Sequence, residues 1–154
     1  MTLLNPKRPL PAFIWPVRAY YEDTDASGVV YHAVYLKYYE RARTEWLRAM
    51  GFSQHNMRER LDVVFTVANL EVDYLRPARL DDELQITCEP QSEGAASLRF
   101  AQRIYRSAHA AGRAPDLLLE ANVRVACVDV RTMRPQRLPE FLADAVAAEA
   151  AGSG

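Results

Sequence analysis

Between Val34 and Met50 the apolar side chains recur at helical intervals. Tyr35, Tyr38, Tyr39, Ala42, Trp46, Ala49 and Met50 form one stripe. Lys37, Arg41, Thr44, Glu45 and Arg48 fall mostly off it, and Arg41 and Glu45 are spaced to pair along the exposed face. Gly51 follows the stripe and suits a left-handed helix stop. A short second helix is predicted from Ser53, its cap, to Leu61.

Beyond Leu61 the period changes. Val63 to Leu75 is rich in β-branched and aromatic residues and reads as a long strand ended by Pro77. Leu84, Ile86 and Cys88 alternate with polar neighbours in a second strand, and Gly94 marks a turn. Leu98, Phe100, Gln102 and Ile104 share one face of a third strand. Leu117, Leu119, Ala121, Val123, Val125 and Cys127 share one face of a fourth. Residues 17–22 suit a strand ahead of the long helix, 129–139 a loop, and Glu140 to Ala150 a C-terminal helix. The order is strand, long helix, then four successive strands. It predicts an α+β domain with an antiparallel sheet and the helix on one face. Residues 1–15, broken by Pro6, Pro9 and Pro11, read as an irregular arm, 16–140 as the domain, and 141–154 as a helix with a frayed tail.

The 154 residues fit one domain, and with 49% apolar residues there is ample material for a core. A net charge of -1 offers no basic excess for nucleic acid, which argues against a nucleic-acid partner. Cys88 and Cys127 lie in apolar alternating runs without a CxxC partner, as reduced core thiols of a cytoplasmic protein would. No stretch is long and apolar enough for a signal peptide or a transmembrane segment. P-loop, GxGxxG and GxSxG motifs are missing, and His32, His55 and His109 form no zinc-type pair, so neither cofactor nor metal is expected.

Candidate chemistry gathers at the turn before the long helix. Asp23 and Asp25 stand in the cluster Asp23-Thr24-Asp25-Ala26-Ser27-Gly28, and Val29, Val30, Tyr31 and His32 lead into the helix. A helix start carries unpaired N–H groups and a positive dipole end that can polarise a carbonyl. A carboxylate beside it can attack the carbonyl carbon or activate water, which together is the equipment of acyl transfer or hydrolysis. Gly28 allows close backbone approach to substrate. The plainer alternatives are that Asp25 closes an Asx-turn or caps the helix and that His32 only packs or caps. The Arg41, Arg43 and Arg48 group reads as a solvated face, with phosphate contacts as the alternative.

The run from Val17 to His32, including Tyr21-Glu22-Asp23-Thr24-Asp25-Ala26-Ser27-Gly28-Val29-Val30-Tyr31-His32, resembles the signature of hotdog-fold acyl-CoA thioesterases. The resemblance continues through Tyr35 to Arg48, and through Val72-Asp73-Tyr74-Leu75-Arg76-Pro77-Ala78-Arg79-Leu80-Asp81-Asp82 and Cys127-Val128-Asp129. It looks like the YbgC-type, Tol-Pal-associated branch, which is similar to 4-hydroxybenzoyl-CoA thioesterase, and covers about residues 15–140.

The resemblance implies a curved antiparallel sheet wrapped around a long central helix, and subunits that pair through their sheets as a homodimer or homotetramer with the active site at the interface. It implies Asp25 as catalytic nucleophile or general base, His32 as contributor, and Gly28, Val29 and Tyr31 as substrate-binding, with backbone amides from Val29 to His32 meeting the carbonyl. The turn Gln91-Ser92-Glu93-Gly94-Ala95-Ala96 lacks the basic residues that the hydroxybenzoyl branch has there for CoA phosphates. That departure points to a generic acyl-CoA, or an acyl carrier protein thioester, as substrate. A non-catalytic acyl-CoA-binding module and a hotdog enoyl-CoA hydratase are the alternative functions.

Overall fold

The computed structural model describes residues 13–108 and 114–152. Most of the expected N-terminal arm, His109 and the end of the tail lie outside them.

Helix α1 (Val34–Ala49) forms where the stripe predicts it and buries Tyr35, Tyr38, Tyr39, Ala42, Trp46 and Leu47. Gly51, at φ +92°, ends the run. Helix α2 (Gln54–Leu61) starts as expected at Ser53, whose hydroxyl accepts the Asn56 N–H at 3.0 Å. The strands are β1 (Ile14–Arg18), β2 (Val63–Tyr74), β3 (Glu83–Thr87), β4 (Glu89–Ser92), β5 (Ser97–Arg106) and β6 (Asp116–Asp129), and helix α3 (Glu140–Gly152) closes the chain. All strand pairings are antiparallel in the order β1-β3-β5-β6-β2, with β4 also on β5. The core lies between α1 and the inner face of β3, β5 and β6, where Leu84, Ile86, Leu98, Ile104, Leu119 and Val123 are buried. This curved sheet around a long helix is the expected α+β hotdog architecture.

Several expectations are corrected. The first strand begins at Ile14, within the segment read as arm, and stops at Arg18; Tyr21–Asp23 form a 3-10 turn instead. Pro16 is tolerated because β1 is an edge strand, where a missing N–H breaks no second ladder. Five strands follow α1, not four. The extra one, β4, contains Pro90 and continues along β5 in the register of β3, so a kink near Cys88 splits one long strand in two. A register shift at Ile104/Tyr105 turns Leu118 rather than Leu117 fully inward. Helix α3 belongs to the core, since it buries Leu142 and Val146 and Glu149 accepts the Trp46 indole N–H at 2.9 Å. Glu45 pairs with Arg48 rather than Arg41. Arg43 is not on a solvated face: its Nη1 donates to the fully buried Gln102 Oε1 at 2.9 Å. Both cysteines are buried free thiols, and burial pushes that of Cys127 up to about 11.

Candidate active site

The turn carrying Asp25 is held on three sides. The Asp25 N–H donates to the Val29 carbonyl at 3.0 Å, and the Gly28 N–H donates to the Asp25 carbonyl at 3.0 Å. Gly28 sits at φ +82°, a conformation that favours glycine and lets the chain reverse there. The Tyr31 N–H donates to the Asp23 carbonyl at 2.9 Å, so a bridge between Thr24 and Val30 locks the two arms of the turn together.

Asp23 anchors this loop to the helix. Its Oδ2 accepts the Tyr38 hydroxyl at 2.7 Å and the Tyr20 N–H at 2.8 Å. Burial, then the Asp23 carboxylate, raises the Tyr38 pKa and keeps the phenol a donor. The segment around Ala78 is clamped on the other side: its N–H donates to the Tyr35 hydroxyl at 2.9 Å, and its carbonyl accepts the Val30 N–H at 2.8 Å. The Tyr74 hydroxyl donates to the His32 carbonyl at 2.7 Å, which fixes the peptide at the helix start. The tyrosines read as core in the stripe therefore also hold the site's scaffold.

Asp25 makes the Asx-turn that was its plainer reading. Its Oδ1 accepts the Ser27 N–H at 2.8 Å and the Ser27 hydroxyl. The side chain is exposed, and beyond Ser27 the backbone amides of Val29 and of Asp25 itself also act on the carboxylate. The Ser27 hydroxyl, then the Ser27 amide, hold the Asp25 carboxyl below its ordinary value. The result is an ionised, exposed carboxylate with Oδ1 fixed by Ser27. Ser27 carries no nucleophile motif; the signal that marks it is the Asp-x-Ser spacing of an Asx-turn.

The helix start is open as well. Ala33 is the N-cap residue of α1 and offers no side-chain cap, whereas Ser, Thr, Asp or Asn normally stands there. Of the four amides expected to face a carbonyl, two are already engaged, because Val30 and Tyr31 donate to Ala78 and Asp23. The amides of Val29 and His32 have no backbone partner among the described residues. The His32 amide stands at the dipole end of α1. The His32 ring lies against the Tyr31 ring, centroids 4.3 Å apart, and makes no hydrogen bond to Asp25 among the described residues. Arg79 pairs with Val29 through an isolated bridge, which sets a cation-bearing residue beside the turn.

The profile of the Thioesterase-like superfamily matches residues 21–146. An acyl-CoA thioester hydrolase YbgC from Shigella flexneri is 53% identical over 131 residues, which cover 84% of this chain and 92% of the relative. An acyl-CoA thioesterase YbgC from Haemophilus influenzae is 44% identical over 128 residues, covering 83% and 89% of the two chains. Among solved structures, a probable thioesterase from Bartonella henselae superposes with a TM-score of 0.72 at 33% identity, over 82% of this chain and 98% of its own.

Proposed function

This chain belongs to the thioesterase-like superfamily and is an acyl-CoA thioester hydrolase, and on that premise we propose that Asp25 carries the reaction with the His32 amide as oxyanion donor. The thioester carbonyl oxygen accepts the His32 N–H at the open start of α1. The exposed Asp25 carboxylate faces the carbonyl carbon. Attack forms a tetrahedral oxyanion; its collapse breaks the C–S bond and releases the CoA thiolate, which takes a proton from solvent. Water then cleaves the acyl-aspartyl anhydride to the free acid and regenerates the carboxylate. The observation that carries this reading is the pairing of an exposed, Ser27-held carboxylate with a helix start that has no side-chain cap.

Asp25 as nucleophile is favoured over Asp25 as general base. A base works best with a pKa near the operating pH, and Ser27 moves that of Asp25 the other way. A less basic carboxylate is also the better leaving group when water cleaves the anhydride. A hydratase would need Asp25 and His32 to act as a pair, and the imidazole is turned against Tyr31 instead.

Removing the Ser27 hydroxyl tests the role of Ser27. Asp25 has a lowered pKa, so its active, ionised form persists as pH falls and is lost only through that lowered value. In Ser27→Ala the largest lowering contribution is gone, and the acid limb of the kcat/KM profile moves to higher pH. An unmoved limb contradicts the role.

The functional unit is a homodimer formed edge to edge through β2, with dimers pairing again into a homotetramer. Strand β2 is outermost in the sheet, and Val67, Leu70 and Tyr74 expose 52%, 37% and 49% of their surface. A long edge with apolar side chains is a template for a second strand. Replacing both Val67 and Leu70 with Asp yields monomers by sedimentation and lowers turnover; an unchanged mass contradicts the interface. The thiol carrier is CoA, with an acyl carrier protein as the second candidate. No helix among the described residues is long and apolar enough to cross a membrane. The two buried reduced thiols suit a cytoplasmic enzyme.

A further inference from the structure

Helix α1 and the β2 edge flank a mostly apolar trough of about 360 Å³, walled by Leu36, Tyr39, Val67, Leu70 and Val123, with the exposed Lys37 and Glu40 at its rim. It begins one turn beyond His32 and follows α1 away from the active site. A second hollow of about 210 Å³, lined by Trp46, Phe65, Phe100 and Leu142, shares the walls Glu40, Arg43 and Val67 with it. Hydrocarbon explains most of this lining. It does not explain Arg43, which stands at the junction of the two hollows.

The Arg43 guanidinium is held from behind. Its Nη1 donates to Gln102 Oε1 at 2.9 Å, and the Gln102 amide is itself pinned by the carbonyls of Tyr39 at 3.1 Å and Thr87 at 3.3 Å. No carboxylate lies within ion-pair distance of Arg43 among the described residues. The nearest acidic residue on its helix face, Glu40, accepts the Thr44 hydroxyl instead. A guanidinium has five N–H donors, and one is occupied here. Burial lowers the Arg43 pKa, and the Glu40 carboxylate offsets this only in part. Such a charge is costly unless something pairs with it.

We propose that Arg43 recognises the far end of the acyl group, and that the preferred substrates are acyl-CoA esters whose acyl chain ends in a carboxylate. This rests on the thioesterase reading above. The reach is consistent with it. From His32 to Arg43 the helix rises about 16 Å. Helical side chains lean back toward the N-terminus, which brings the guanidinium to about 10 Å from the His32 amide. An extended six-carbon diacid spans such a gap, with its thioester carbonyl on the His32 amide and its free carboxylate on Arg43. The fork geometry of Arg then supplies a two-pronged, charge-assisted contact.

The test compares adipoyl-CoA with hexanoyl-CoA, which match in chain length and differ in the terminal carboxylate. Thiol release is corrected for spontaneous hydrolysis. The wild-type enzyme favours adipoyl-CoA in kcat/KM, and Arg43→Gln lowers the adipoyl-to-hexanoyl ratio about tenfold or more, with Arg43→Lys in between. Hexanoyl-CoA preferred by the wild type, or a ratio unmoved by Arg43→Gln, overturns the proposal. An unmoved ratio with a weakened oligomer assigns Arg43 to a partner subunit's carboxylate instead. Should Arg43→Gln fail to fold, the wild-type preference and the Arg43→Lys ratio decide. Hydrolysis of neither ester while another acyl-CoA is turned over overturns the proposal alone, whereas release from no acyl-CoA at all counts against the thioesterase reading, so the two failures are distinguishable.

Discussion

Asp25→Asn lowers kcat by about a thousandfold or more while leaving the fold intact, because the carboxamide keeps the shape and loses the reacting group. Loss of a positioned nucleophile or base removes a contribution on this scale. The fold survives because what Asp25 does structurally is done largely by its backbone. Its N–H donates to Val29 and its carbonyl accepts from Gly28, and neither bond depends on the side chain. The asparagine carbonyl oxygen still accepts the Ser27 N–H and hydroxyl that Oδ1 accepts now. Unfolding and sedimentation therefore match the wild type while turnover falls. A mutant that hydrolyses acyl-CoA at near wild-type rates removes Asp25 from the mechanism.

The second large effect separates the two parts of His32. His32→Pro removes the N–H that is open at the start of α1 and lowers kcat about a hundred- to a thousandfold, as loss of one oxyanion donor does. His32→Ala keeps that N–H and loses only the imidazole, so it retains most of the activity. Residue 32 lies just ahead of the N-cap Ala33, where an N–H has no intrahelical partner to lose, so proline breaks no helix bond. The bond from the Tyr74 hydroxyl to the His32 carbonyl needs no N–H and persists in both variants. Circular dichroism and oligomer mass serve as the structural control. A histidine side chain that acts chemically gives the reverse order, with His32→Ala as damaging as His32→Pro.

The elements legible in advance were those whose burial follows a simple period. The α1 stripe and the alternation in β5 and most of β6 are direct consequences of one face meeting a core. Even Gln102, polar and fully buried, was placed inward by its neighbours Phe100 and Ile104. The misreadings have local causes. The first strand and the extra strand β4 each hold a proline, Pro16 and Pro90, at a place where the sheet does not need its N–H. Leu117 and Leu118 exchanged faces because a register shift inserts one residue, and nothing in a run of three leucines marks where. Arg43 was read with the exposed arginines of α1 because charge usually means solvent. Its partner Gln102 is distant in sequence, so its burial is a tertiary fact.

The proposed site was legible in part. Asp25, His32 and the turn between them stand out by residue types and by a resemblance that runs through the same segment. Which amides stay open was not, because Val30 and Tyr31 are engaged by Ala78 and Asp23, contacts set by the packing of the loop at 75–82 and by the turn's own bridge. Ser27 went unrecognised as the group that fixes one oxygen of Asp25. The missing cap at Ala33 is visible in the sequence, but its meaning depends on the helix boundary, which periodicity locates only to within a residue or two.

The most direct test of the central claim is thiol release from a panel of acyl-CoA esters, short, long and aromatic, by the wild-type enzyme and Asp25→Asn side by side. The account predicts turnover of at least one class by the wild type and its near disappearance in the folded, oligomeric mutant. Equal rates in the two proteins, or release from no ester by a folded oligomeric wild type, would contradict it.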